Sequence, residues 1–150
     1  MVLIGTPAEG GLLRDIAAKA ESLGGRAVRT LVLDDVDLPT LIGVLASSDI
    51  VVGNDSGIRH LAQAVGTATV GIYWIRNALN AGPLSRSQHR MLISWTARCQ
   101  VCGHDYTMPE TPWCGHDLSL VADISVDQVI HEVDDRPATR LARKTGVQLR

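Results

Sequence analysis

Ile50-Val51-Val52-Gly53-Asn54-Asp55-Ser56-Gly57-Ile58-Arg59-His60 is the stretch on which the fold turns. Three β-branched apolar residues run into a cluster of turn formers, and a helix-periodic segment follows at once. That order predicts a buried strand over residues 49–53, a tight turn, and a short helix over residues 58–65 that Gly66 ends. The strand is apolar on both faces, as a central strand of a parallel sheet should be. In an open parallel sheet, ligands bind beyond the carboxyl ends of the strands, which is where residues 54–57 lie.

The turn carries the candidate chemistry. Gly57 either lets a ligand approach the backbone closely or supplies a positive φ. The helix after it leaves its first amides unpaired, and its dipole favours an anion there. Asp55 is placed to cap one of those amides, and Ser56 adds a hydroxyl. His60 lies four residues beyond Ser56, on the same helix face, tilted toward the N-terminus. Together these groups form a cradle for a diphosphate. The same residues also read as a plain capping turn with a surface histidine, since Asp and Ser are the commonest caps. Spacing alone leaves both readings open.

Outward from this turn the chain alternates strand and helix. Val2-Leu3-Ile4 is a short apolar run closed by Gly5 and Pro7. Over residues 8–23, Leu12, Leu13, Ile16, Ala17, Ala20 and Leu23 recur at helical spacing, and Gly24-Gly25 stops the helix. Residues 27–33 form a second β-rich run. Asp37 is a good N-cap, with Pro39 in the first turn, for a helix over residues 38–46. Residues 69–74 make a fourth strand. Short strand–helix connections of this kind predict an α/β fold, a parallel Rossmann-like sheet with flanking helices and right-handed crossovers. After Trp74 the pattern weakens. Residues 75–90, rich in Asn, Gly, Ser, Arg and Pro, are expected to be a surface loop. Residues 91–95 offer one more strand, the cysteine segment an irregular loop, and residues 126–133 a helix capped by Ser125. The expected organisation is one domain over residues 1–133, followed by a basic, disordered tail over residues 134–150.

Bulk properties narrow the class. The chain has 150 residues, 45% of them apolar and 20% charged, which suits a globular domain. A net charge of −2 argues against a nucleic-acid or membrane-surface binder. With no Phe, three Trp and two Tyr, the core must be aliphatic. No apolar run approaches the ~18 residues of a transmembrane span. No basic region precedes the first apolar residues, so they read as a strand rather than a signal peptide, and a cytoplasmic location is expected.

The run from Ile50 through Asp55-Ser-Gly-x-x-His60 and on through Gly66-Thr67 to Tyr73 closely resembles the C-terminal domain of glycosyltransferase family 9, which includes the ADP-heptose:lipopolysaccharide heptosyltransferases. The resemblance implies that Asp55, Ser56, Gly57 and His60 hold the diphosphate of a nucleotide-sugar donor. Leu3-Ile-Gly-Thr-Pro-Ala-Glu9 resembles a second family motif, which implies that Glu9 accepts a hydrogen bond from a ribose hydroxyl. Glu9 also reads as a first-turn acid complementing a helix dipole. By resemblance the fold is that of a truncated C-terminal domain of a GT-B glycosyltransferase. Three parts of the family pattern have no counterpart. These are the acceptor domain with its catalytic aspartate, the opening strand–loop–helix with its phosphate-binding lysine, and the usual glycine-containing turn at residues 32–35. A truncated gene product, a fragment, or a subunit needing an acceptor-domain partner is therefore expected.

All three cysteines fall within residues 99–114, and an odd count in a reducing compartment argues against a disulfide framework. Cys99-x-x-Cys102 with Cys114-x-His116 has spacing suited to a tetrahedral Zn²⁺, with His104 as an alternative fourth ligand. The plainer reading is a loop of reduced, partly buried cysteines. Any such metal would be structural, since four protein ligands leave no open position. The leading functional expectation is the donor-binding part of a heptosyl- or hexosyltransferase that acts on a cell-envelope glycan or lipopolysaccharide and needs no cofactor for its chemistry. The alternatives are a non-catalytic nucleotide-sugar-binding or interaction module and a zinc-ribbon-like adaptor.

Overall fold

The computed structural model describes residues 1–24, 28–83, 85, 87–108 and 114–135. It is α/β, with parallel strands flanked by helices. The strands fall into a two-stranded and a three-stranded sheet, and the chain divides into two compact units, Met1–Gly43 and Val44–Arg150.

In the first unit, β1 (Val2–Ile4) pairs in parallel with β2 (Leu31–Leu33), with Val2 opposite Leu31 and Ile4 opposite Leu33. A 3₁₀ turn, Pro7–Glu9, leads into α1 (Gly10–Gly24). Gly10, Leu13 and Ala17 are its buried positions, at the i, i+3, i+7 spacing of a single stripe. Asp37 caps the next helix as expected, its Oδ1 accepting from Thr40 N at 2.9 Å. That helix, α2 (Leu38–Ser47), contains the boundary between the units.

The second unit is built on β3 (Ile50–Asn54), β4 (Ala68–Trp74) and β5 (His89–Ser94), all parallel, in the order β3-β4-β5. Ile50 lies opposite Ala68, and Trp74 opposite Ser94. Among the described residues β3 pairs with β4 alone, so the central strand is β4 rather than the expected β3, and Val52 is exposed. The apolar run of β3 carries no information on the number of hydrogen-bonded neighbours. α3 (Gly57–Ala64) connects β3 to β4. It ends where Gly66 adopts φ +77°. Thr67 N donates to Ala62 O and Gly66 N to Gln63 O, the paired bonds of a Schellman motif. The buried Leu45, Ala62, Val70 and Tyr73 form the core, with Thr67 Oγ1 donating to Leu45 O at 2.7 Å.

The expected loop over residues 75–90 is corrected. Its first half is a helix, α4 (Ile75–Ala81). The Gly, Pro and Ser residues that suggested a loop begin only at Gly82, and averaging over the whole window hid the helical half. The cysteine segment is also more ordered than expected. Arg98 and Asp105 form an antiparallel bridge, Cys99 N donates to His104 O, and Gly103 N donates to Cys99 O. α5 (Val126–Asp134) starts with a reciprocal Ser125–Gln128 capping box. The expected tail lies, from residue 136 onward, outside the described residues.

Candidate functional site

β3 delivers the chain into the turn, and the Asp55 amide extends the pairing by donating to Ile72 O at 3.1 Å. Ser56, in extended backbone at φ −152°, is the N-cap of α3, and its side chain makes no cap hydrogen bond. The expected capping role of Asp55 is thus corrected: its carboxylate is engaged elsewhere. The first helical bond runs from His60 N to Ser56 O, so the amides of Gly57, Ile58 and Arg59 precede the intrahelical ladder. Gly57 does not have a positive φ. A Cβ built on it meets nothing within 4 Å, so neither backbone strain nor internal packing requires a glycine here.

Arg59, a residue the spacing argument passed over, organises this turn. Its side chain is 1% exposed, yet it carries a full charge. Nη2 donates to Asp55 Oδ1 at 2.8 Å and lies 3.3 Å from Ala81 O at the end of α4. The guanidinium sits over the Tyr73 ring, 4.6 Å from its centroid, a cation–π contact. Nε, Nη1 and the Tyr73 hydroxyl are buried without hydrogen-bond partners. Burial raises the Tyr73 pKa above its ordinary value, against an opposing effect of the Arg59 charge. Gly71 makes room for this stack: a Cβ there would lie 2.5 Å from Tyr73 Cε2 and 3.0 Å from Arg59 Cδ. A clue was present in the sequence, because Asp55 and Arg59 stand at the i, i+4 spacing of a helical ion pair.

His60 is half-exposed, and its Nε2 lies 3.4 Å from Asp55 Oδ1 and 2.9 Å from Arg59 Nη2. A guanidinium N–H can only donate, so in the neutral ring Nε2 accepts and Nδ1 carries the proton. Asp55, Ser56, Gly57 and His60 thus share one helix mouth. Glu9 belongs to the first unit. Its Oε2 accepts from both Thr6 N and Thr6 Oγ1 at 2.8 Å, the acidic half of a capping box. Those bonds hold the Glu9 pKa below its ordinary value.

The cysteine segment brings four expected ligands together. The sulfurs of Cys99, Cys102 and Cys114 and a ring nitrogen of His116 all lie within 4.8 Å of one another. His104 is not in this group; its ring packs edge-on against Tyr106, centroids 5.4 Å apart. The Tyr106 hydroxyl lies 3.0 Å from Cys114 Sγ. Hydrogen bonding from Tyr106 is the main cause that lowers the Cys99 thiol to about 6 and also lowers that of Cys114. The hydrogen bond with Cys114 raises His116. The backbone amide of His104 favours a Cys102 thiolate, but burial and the neighbouring sulfurs outweigh it and push that thiol up.

The family model of glycosyltransferase family 9 (heptosyltransferase) matches residues 1–109. The chain belongs to glycosyltransferase family 9. No curated protein and no solved structure matches it. The match takes in Glu9, the turn at residues 54–60, Cys99 and Cys102, and stops short of Cys114 and His116. Among the described residues, no helix of this glycosyltransferase-family chain is long and apolar enough to cross a membrane.

Proposed function

We propose that the turn at residues 54–60 holds the diphosphate of a nucleotide-sugar donor, so that the chain is the donor-binding part of a GT-B glycosyltransferase. The observation that carries the reading is the helix mouth itself. Three first-turn amides and an uncommitted Ser56 hydroxyl stand beside a glycine whose side-chain position opens onto free space. Arg59 keeps the Asp55 carboxylate in an ion pair, so no acid cancels the helix dipole that favours an anion there. Asp55 holds Arg59 in place from inside the turn, and His60 offers a ring N–H at its rim.

In the proposed reaction a base from an acceptor domain takes the proton of an acceptor hydroxyl, and the oxygen attacks the anomeric carbon. The bond from that carbon to the diphosphate oxygen breaks, and its electron pair leaves on the nucleoside diphosphate. The turn stabilises that charge. An ADP-heptose-like donor, a cell-envelope glycan or lipopolysaccharide acceptor and a cytoplasmic location complete the proposal, with Glu9 assigned to a donor ribose hydroxyl. The transfer needs no cofactor. A zinc ion on the cysteine cluster would be structural, because four protein ligands leave no open position for a substrate oxygen.

The test is a calorimetric titration with ADP, paired with a transfer assay run with and without a candidate acceptor-domain protein. His60→Ala should weaken ADP binding by about 1–3 kcal/mol, roughly 5- to 150-fold in Kd. An affinity that His60→Ala leaves unchanged would sink the role given to the turn. Binding with no transfer under either condition would instead identify a non-catalytic nucleotide-sugar-binding module.

A further inference from the structure

We infer that Cys99, Cys102, Cys114 and His116 form a tetrahedral Zn²⁺ site that fastens residues 96–108 and 114–120 against the carboxyl ends of β4 and β5. The distances fit the ion. Bonds of about 2.3 Å to sulfur and about 2.0–2.1 Å to nitrogen place tetrahedral ligand atoms about 3.5–3.8 Å apart. His116 Nδ1 lies 3.6 Å from Cys99 Sγ and 3.4 Å from Cys114 Sγ, and no pair in the set exceeds 4.8 Å. Three thiolates and an imidazole are a donor set that selects zinc over hard cations such as Mg²⁺ and Ca²⁺.

The backbone around the ligands is arranged to match. Gly103 at φ +72° and Gly115 at φ +78° each directly follow a cysteine ligand, a backbone conformation that L side chains rarely adopt. The two left-handed residues turn the chain sharply after Cys102 and after Cys114. Cys99 N donates to His104 O at 2.8 Å and Gly103 N to Cys99 O at 2.9 Å, which closes a tight turn around the first two ligands. Hydrogen bonds to thiolates stabilise the charge a metal ligand must carry. The Tyr106 hydroxyl adds an outer partner at 3.0 Å from Cys114 Sγ.

The ion has a structural task to do here. Among the described residues, those between β5 and α5 contain no helix or strand beyond the Arg98–Asp105 bridge. Cys99 and Tyr106 are buried, and polar bonds tie the segment to β4, α4 and β5. Trp74 Nε1 donates to Thr96 O, Arg76 Nη1 to Tyr106 O, and Ser94 Oγ to Leu120 O. A metal crosslink between residues 99–102 and 114–116 closes the segment that presents those acceptors. It supplies the order that a small apolar core would otherwise provide. Two of its ligands lie beyond the residues matched by the family, so the site is assigned from this chain's own side chains.

The test uses the full chain, purified under reducing conditions without nucleotide, so it stands or falls apart from the donor-binding reading. Metal analysis should find one zinc per chain. Co²⁺ substitution should give thiolate charge-transfer absorption and the intense visible bands of a tetrahedral site. Cys102→Ser, which alters the exposed cysteine and is the variant best placed to fold, should lose roughly a third of the charge-transfer intensity, one thiolate of three. His104→Ala should keep zinc at full stoichiometry, and Tyr106→Phe should weaken zinc affinity about 10- to 100-fold, as losing an outer-shell partner does. Zinc removal should lower the melting temperature of the wild-type chain. Metal-free protein with an unchanged melting temperature and no Co²⁺–thiolate absorption would overturn the assignment. So would a mass two hydrogens low, marking a disulfide within the cluster.

Discussion

Replacing Asp55 by asparagine removes the carboxylate paired with a guanidinium whose side chain is only 1% exposed. Asp55 Oδ1 receives Nη2 at 2.8 Å, and the further partners of Arg59 carry no negative charge: the Ala81 carbonyl at 3.3 Å, the Tyr73 face and the His60 ring. Removing one member of a buried pair costs about 3–5 kcal/mol, because the other charge is stranded. An asparagine oxygen still accepts one hydrogen bond, so Asp55→Asn belongs near the low end, about 3 kcal/mol. Arg59→Met is the asymmetric control. It removes the buried charge together with the two unpartnered N–H groups, and it places a thioether beneath Tyr73. Asp55 is left 15% exposed, able to take up water, with His60 Nε2 3.4 Å away. The expected loss is about 1 kcal/mol or less, as when buried ion pairs yield to apolar groups. The assay is urea unfolding without nucleotide. With slopes of about 1–3 kcal/mol per molar, Asp55→Asn should lower the midpoint by at least about 1 M, and Arg59→Met by clearly less. The double variant should return to the Arg59→Met value. Equal losses from the two single variants, or a double variant equal to their sum, would refute the reasoning.

Two other outcomes follow from the same unit. Gly71→Ala forces a Cβ to 2.5 Å from Tyr73 Cε2, so overpacking should cost about 1–3 kcal/mol, read as a lowered urea midpoint. Burial lowers the pKa of His89 below its ordinary 6.5, with the Arg59 charge adding to the effect. The unfolded chain then binds the proton more readily than the folded one. Stability from this group is complete above pH 6.5 and is lost as pH falls through the depressed folded value. Comparing unfolding at about pH 7.5 and about pH 5.5, the wild-type chain should lose more stability than His89→Gln, which keeps a partner for Thr69 Oγ1. An identical pH dependence in both proteins would exclude this origin.

Most of the regular structure was legible because local signals agreed. Asp37 and Ser125 cap where capping chemistry put them, and Gly66 ends α3 as expected, by adopting φ +77°. The misses have a common physical cause. Which strand is central depends on partners distant in sequence, so the apolar run of β3 could not reveal that β4 holds that place. α4 was hidden by the loop residues that follow it, and its stability comes from packing on β4 and β5. At the turn, the visible letters were the polar, exposed ones. Arg59 escaped notice because a charged residue is read as solvated, whereas this one is held inside by a carboxylate, an aromatic face and a carbonyl.

That escape bears on how the turn works. A motif written Asp-Ser-Gly-x-x-His treats its two unnamed positions as filler, yet the second of them is the most buried residue of the turn. Asp55 Oδ1 accepts from Arg59, and the carboxylate makes no hydrogen bond to the first amides of α3. The consequence is a helix mouth whose own acid faces inward and is neutralised, while the Ser56 hydroxyl and the first amides stay uncommitted. An acid capping those amides would have occupied the place of a phosphate oxygen. Arg59 therefore draws the carboxylate away from the mouth into an ion pair that carries no net charge. A turn that served only to cap α3 would gain nothing from this, since Asp55 on the amides would stabilise the helix start. The first amides, left free of their acid by the Asp55–Arg59 pair, are thus an argument for an anionic ligand that spacing alone did not contain.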